Sequence, residues 1–244
     1  MARRRKKKNK LSFYILIVIA FFAYNYQDEI KEFINQFDNE LSPQIVSNLL
    51  DEVPDYSGEP YIVLNNNIPE FDDKDYITES FEVYNTLDEL GRCTVAYANV
   101  SIYTMPDEER GSIGSIKPSG WHTVKYDIVE GKYLYNRCHL IGYQLTGENA
   151  NEKNLITCTR YMNTVGMLEF ENKVAEYVRK TENHVLYRVT PIYKEDNLLA
   201  TGVQMEAYSI EDSGIGVKFN VFVYNVQEGI EIDYKTGESK LEEK

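Results

Sequence analysis

The chain holds three histidines, His122, His139 and His184, so chemistry that needs an imidazole is confined to three places. His139 ends the run Tyr133-Leu134-Tyr135-Asn136-Arg137-Cys138, and an asparagine-rich stretch over residues 146–156 follows it. Arg137 stands two positions earlier, so on an extended strand both side chains leave the same face. A neutral imidazole, with an ordinary pKa of roughly 6.5, can take a proton from water. An arginine fork binds two phosphate oxygens at once. A hard divalent cation prefers oxygen ligands and keeps most of its waters, so one asparagine amide can site it. Together these residue types suit metal-assisted cleavage of a phosphodiester. Alone, His139 would read as structural, as most single loop histidines do.

The other two histidines offer less. His184 opens an apolar run and reads as structural. His122 lies in a turn beside the only tryptophan, Trp121. Lys117, His122 and Lys125 share a segment flanked by glycine and proline, which is either a groove lining or a solvated loop.

The elements that must position these residues follow from periodicity. Residues 61–64, 92–97, 101–103, 184–191 and 217–225 are rich in Val, Tyr and Thr and read as strands, with a turn at Asn65-Asn66-Asn67. Residues 169–179 read as a helix, with Phe170, Val174, Tyr177 and Val178 on one face. Strands first and last with a helix between predict an α+β fold, a central antiparallel sheet with flanking helices. The 20 tyrosines favour strands over a helical bundle.

Charge is unevenly spread. The formal net charge is −13, from 26 basic and 39 acidic side chains, yet residues 1–10 carry seven basic side chains and no acid. Without those seven the remainder stands at 19 basic against 39 acidic, a formal −20. Such a body excludes a protein that coats nucleic acid by bulk attraction, but not an enzyme that grips a few phosphates locally. The basic run precedes an apolar, uncharged stretch over residues 11–24, as in an export signal or a short span. No clear small-x-small cleavage site follows, which favours an uncleaved anchor over a cleaved signal. The positive-inside rule then leaves the rest of the chain outside the cell, membrane-tethered or secreted. Residues 1–28 are thus a basic and hydrophobic signal or anchor, 29–57 a helical stalk or linker, 58–233 the main domain, and 234–244 a frayed polar tail. Cys93, Cys138 and Cys158 lack a CxxC pair and read as small buried side chains, with one disulfide of undecided pairing as the alternative.

Residues 136–163 resemble the signature of the DNA/RNA non-specific endonucleases, a ββα-metal family with an Asp-Arg-Gly-His motif. The likeness is greatest to its exported bacterial branch of DNA-entry and streptodornase-like nucleases. It implies that His139 is the general base and Arg137 a phosphate-binding arginine. It also implies that Asn163 is the protein ligand to Mg²⁺, with Mn²⁺ as substitute, and that Asn154 helps hold the site. Glu171, eight residues after Asn163, matches by spacing a glutamate that some members place beside the metal's waters. On a continuous helix that offset is roughly 80° around and two turns along. Asn136 and Cys138 stand where the family has aspartate and glycine; Asn136 keeps hydrogen-bonding capacity without charge, and Cys138 adds a Cβ to the turn expected before His139.

The mechanism implied is in-line attack by water activated at His139, with Arg137 and Arg160 steadying the phosphate and Lys117 near the groove. The products would carry 5′ phosphates, and the partner is DNA, with RNA as a second substrate. The main rival is a non-catalytic, surface-tethered module that binds a partner through its tyrosines. A toxin is a lesser rival, since residues 29–55 are too short for a delivery domain.

Overall fold

The computed structural model describes residues 53–243. The basic run, the apolar segment and most of the expected stalk therefore lie outside the described residues. Among the described residues, no helix is long and apolar enough to cross a membrane.

Six strands form one antiparallel sheet: β1 (Tyr61–Val63), β2 (Phe81–Tyr84), β3 (Ala96–Val100), β6 (Val185–Ile192), β7 (Gly202–Ser209) and β8 (Lys218–Tyr224). Their spatial order is β1-β8-β7-β6-β3-β2. Between β3 and β6 the chain leaves the sheet to build a separate ribbon, β4 (Tyr135–His139) paired antiparallel with β5 (Leu155–Thr159). The short helix α1 (Tyr143–Thr146) follows β4, and α2 (Leu168–Thr181) follows β5. A second ribbon, β9 (Ile230–Ile232) with β10 (Ser239–Leu241), closes the chain.

The core lies between one sheet face and the layer made of α2 and the first ribbon. Tyr187, Val189, Val203, Met205, Ala207, Phe219, Val221 and Val223 meet Phe170, Val174, Ala175 and Val178 of α2. Cys138, Ile156 and Cys158 of the ribbon complete that cluster. The apolar stripe read from residues 169–179 is thus the buried face of α2, and Tyr177 packs at its margin. On the opposite sheet face, Arg188 pairs with the buried Glu206 at 2.8 Å and lies over the Phe71 ring at 4.9 Å. Glu206 also accepts the Glu70 amide at 2.8 Å, so residues 70–71 are pinned to the sheet.

Several expectations need correction. Residues 101–103 turn instead of extending: Ser101 O accepts the Thr104 amide at 3.1 Å. The strand expected at 92–97 begins only at Ala96 and runs to Val100. β5 falls at the end of a stretch that looked like loop, because its asparagines precede the strand. β7 was hidden by Gln204 and Glu206, which face away from the core. The expected frayed tail contains β10, and Tyr234 donates its hydroxyl to Asn225 O at 2.7 Å. Ordered contacts also start earlier than residue 58, since Tyr224 donates to Pro54 O at 2.8 Å and its ring meets Tyr56.

Phe170 is the residue on which the helix and sheet meet. Its ring stacks edge-on to Tyr61 at 4.8 Å and against Phe219 at 4.9 Å. Phe170→Ala should therefore cost about 3–4 kcal/mol of unfolding free energy. Urea titration should show this as a lower midpoint with unchanged slope; a loss under 1 kcal/mol would mean that α2 docks by other contacts.

Candidate active site

Extended backbone through β4 sets Arg137 and His139 on one face and Asn136 and Cys138 on the other. Cys138 is fully buried in an ordinary strand, with no positive φ, so no turn precedes His139 and the added Cβ strains nothing. The register places His139 opposite Leu155 and Arg137 opposite Thr157. Just past the strand, Asn154 closes the ribbon. Its Oδ1 accepts the Ile141 amide at 2.9 Å, its Nδ2 donates to Ile141 O at 3.0 Å, and its own carbonyl accepts the Leu140 amide at 2.9 Å. Asn154 is wholly buried, so each of its polar groups has to be paired this way.

His139 is held from both sides. Its Nε2 lies 2.7 Å from the carbonyl of Asn149, and its Nδ1 lies 3.3 Å from Nη2 of Arg110. A carbonyl only accepts and a guanidinium only donates, so the proton sits on Nε2 and the lone pair on Nδ1. Burial lowers the His139 pKa and Arg110 lowers it further, against the raising effect of the Asn149 carbonyl. The ring is therefore neutral at physiological pH, with one basic nitrogen pointed at a cationic partner.

Arg110 was not foreseen, because it lies in the acidic loop Asp107-Glu108-Glu109-Arg110 with no motif around it. That loop is fastened where Tyr143 donates to Glu108 O at 2.8 Å. Glu171 is the third member. Burial pushes its carboxyl up to about 7, while the charge of Arg110 and a hydrogen bond from Gln144 pull it down. Its carboxylate packs against Gly142, three residues after His139: a Cβ at that glycine would stand 2.7 Å from Oε2. Only glycine lets the carboxylate come this near the backbone.

Asn163 sits in a π-helical turn, Met162–Met167, that leads into α2. Such wide turns are rare and frequently occur at functional sites. The turn also changes the offset to Glu171. It takes up about one residue, so eight positions act as seven and the rotation falls from roughly 80° to about −20°. Gly166 permits the wide turn to lie on β8, where a Cβ would meet Val223 Cγ1. Asn163 Oδ1 lies 3.2 Å from Cys138 Sγ, on the core side of the ribbon. Cys138 and Cys158 form a disulfide, with Cα atoms 5.9 Å apart, and Cys93 remains a buried free thiol.

Three expected contributors are placed differently from their anticipated roles. Arg137 lies flat on Trp121, 3.9 Å from the ring centre, and donates Nε to Ile116 O and Nη2 to Gly114 O, the latter at 3.0 Å. The two-donor edge expected to face a phosphate is thus turned onto the loop that carries the exposed Lys117. Arg160 follows the last residue of β5 and pairs with Glu130 at 3.5 Å. Its Cα stands five residues beyond the partner of His139, roughly 16 Å along the ribbon. Asn136 carries a buried Nδ2 without a hydrogen-bond partner.

The oxygen donors available are of the kind a hard cation takes, with Asn163 Oδ1 on the Cys138 face of the ribbon. Among the described residues no cluster of three His, Cys, Asp or Glu side chains is present, so a closed zinc-type cage is not what these side chains build. What is present is amide oxygen and one carboxylate: Asn163 Oδ1 on the π turn, Glu171, and a buried Asn149 Oδ1 that receives no hydrogen bond. An unpaired buried acceptor beside the base suits a cation or its waters.

Comparison with known proteins shows the family. The family model described as DNA/RNA non-specific endonuclease matches residues 73–211, more than half of the chain. The chain belongs to that endonuclease family. It is similar to NucA from Streptococcus agalactiae with magnesium ion bound, at 26% identity and a TM-score of 0.69, over 82% of this chain and 97% of that one. It is also similar to the Sda1 nuclease with bound zinc ion, at 27% identity and a TM-score of 0.60, over 76% and 97% of the two chains. A protein described as an extracellular endonuclease shares the fold at 20% identity and a TM-score of 0.53, over 77% of this chain and all of that one. The antiparallel α+β architecture is therefore that of the family's nucleases.

In this endonuclease the buried carboxyl of Glu171 generates a test of the site's electrostatics. Its folded pKa lies above its unfolded value of roughly 4.3, so the protonated form contributes stability that is full below that value and is lost as pH rises to about 7. In EDTA, Glu171→Gln should melt above the wild type at pH 8, by up to about 2 kcal/mol, and the gap should close toward pH 4.5. Equal melting points at both pH values would show that the carboxylate is solvated.

Proposed function

We propose that this endonuclease is Mg²⁺-dependent, cleaves DNA and RNA phosphodiester bonds to leave 5′ phosphates, and acts outside the cell. The observation that carries the reading is the two-sided hold on His139, which fixes a neutral imidazole with its Nδ1 lone pair beside Arg110, the arginine whose charge also acts on Glu171. His139 is the general base. A water taking Arg110's place at Nδ1 loses its proton there as it attacks phosphorus, and the Asn149 carbonyl steadies the imidazolium that forms. Arg110, displaced to a non-bridging phosphate oxygen, supplies the charge-assisted contact first expected of Arg137. Arg137 holds the loop bearing Lys117 and leaves its positive charge at the rim. Arg160 serves a neighbouring phosphate.

Asn163 and Glu171 would hold the cation, since they supply an amide oxygen and a carboxylate. When bound, Mg²⁺ offsets the negative charge that grows on the phosphate and the leaving 3′ oxygen, and Mn²⁺ can replace it. Ionised Glu171 is needed for this, so its raised pKa in the metal-free protein predicts that protons compete with the cation and that cation binding weakens as pH falls below about 7. An extracellular setting is supported by the disulfide, since such bonds persist in oxidising compartments. The N-terminal basic and apolar segment supplies a membrane tether or an export signal. A strongly acidic body then means that substrate is gripped by a few local charges, not by a broad basic surface.

Plasmid nicking with and without EDTA tests this. His139→Ala should lose about a thousandfold in rate while still melting cooperatively. Asn163→Ala should act only at raised Mg²⁺, and Arg110→Ala should raise KM more than it lowers kcat. Full activity in EDTA, or in His139→Ala, would sink the mechanism.

A further inference from the structure

Cys138 occupies the strand position beside the base, where its sulfur touches the amide oxygen assigned above to the cation. The contact is 3.2 Å from Cys138 Sγ to Asn163 Oδ1. Both cysteines of the pair are fully buried, and the register sets Cys138 opposite Ile156 and Cys158 opposite Asn136, diagonal neighbours on the core face of the ribbon. Their Cα separation of 5.9 Å is that of an ordinary disulfide.

The sulfur at position 138 has two chemical forms with opposite consequences for its neighbour. As half of a disulfide it bears no hydrogen and only touches Asn163 Oδ1, donating nothing to its lone pairs. As a thiol it is a weak donor within reach of that oxygen. An S–H directed at Oδ1 competes with a cation for the same lone pair. No other donor to Asn163 Oδ1 is recorded among the described residues, so the state of Cys138 decides the oxygen's availability. We infer that Cys138 is a positioning residue whose oxidation with Cys158 frees the Asn163 ligand oxygen, so that the endonuclease binds its cation tightly only after the disulfide forms. This inference rests on the nuclease reading of the same site.

The chemistry is ordinary thiol–disulfide exchange. A dithiol reductant breaks the Sγ–Sγ bond, each cysteine sulfur gains one hydrogen, and the dithiol closes to its own disulfide. Export reverses the step: an oxidising disulfide outside the cytoplasm accepts the two hydrogens and is itself reduced. A chain still in a reducing cytoplasm would therefore carry the Cys138 thiol and a weakened cation site. Cys93 is separate from this pair, and burial pushes its thiol up to about 12, so it stays inert.

Two single variants isolate the effect, because each abolishes the disulfide but only one presents a thiol to Asn163. Cys158→Ala keeps the Cys138 S–H, whereas Cys138→Ala removes it. Mn²⁺ binding to the full chain, read by electron paramagnetic resonance without substrate, should weaken about fivefold in Cys158→Ala. In Cys138→Ala it should stay within twofold of the oxidised wild type. The Mg²⁺ concentration for half-maximal plasmid nicking should move in parallel. Denatured without reductant, the wild type should show one thiol, rising to three after reduction. Three thiols before reduction would overturn the inference. So would equal weakening in both variants, which marks a bracing role only, or no weakening in either. Oxidised wild type that binds no Mn²⁺ and nicks no DNA would instead overturn the nuclease reading itself. A melting curve on each variant separates loss of fold from loss of the site. If Cys158→Ala does not melt cooperatively, reduced wild type takes its place against Cys138→Ala.

Discussion

The amide of Asn154, clasped on both polar groups of Ile141, is the constraint from which the rest of the site follows. It locks the register of a ribbon only five residues long per strand. A slip of one residue would turn every side chain of β4 to the other face. His139 would then point into the core, and Cys138 would lose both its disulfide partner and Asn163. Two neutral hydrogen bonds in a buried place outweigh their modest net energy, because breaking them leaves four polar groups unpaired without water. The ribbon lies outside the six-stranded sheet, so no neighbouring strand could correct a slip.

Burial acts in opposite directions on the two titratable groups it gathers. It lowers the pKa of His139 and raises that of Glu171, and Arg110 lowers both. The same desolvation thus keeps the imidazole neutral and makes the carboxylate costly to ionise. A single arginine is the only positive charge recorded against either group among the described residues. Since the chain as a whole is strongly acidic, that local charge has more to do here than it would in a basic protein. A divalent cation beside Glu171 would relieve the same cost.

How much of this was legible depended on whether local pattern or long-range closure set the outcome. The face of α2 was readable because Phe170, Val174 and Val178 repeat at helical spacing and nothing in the fold overrides it. The core strand β8 was readable from its run of branched and aromatic residues. β5 was not, since Asn151 and Asn154 look like loop residues until Asn154 is seen to turn its amide inward. Arg110 was invisible because its meaning comes from where a segment of 28 intervening residues folds back, and no spacing rule encodes that. The same holds for Arg137, whose neighbour Trp121 captures the guanidinium from a turn that read as peripheral. Glu171 stands roughly 80° round from Asn163 on an ideal helix, and the π turn brings the two closer to one face by taking up one residue.

The departures from the family motif also read differently once packing is known. Cysteine in place of glycine at 138 looked like a burden on a turn, but extended backbone accepts any side chain there. Its cost would be a Cβ and a sulfur in the core, and Cys158 meets that sulfur across the ribbon. Asparagine in place of aspartate at 136 leaves one buried N–H group without a partner, a penalty of about 1–3 kcal/mol. An ionised aspartate there would face the same enclosed surroundings with a full charge, and no cation is recorded at Asn136. The neutral side chain is therefore the smaller cost in this ribbon.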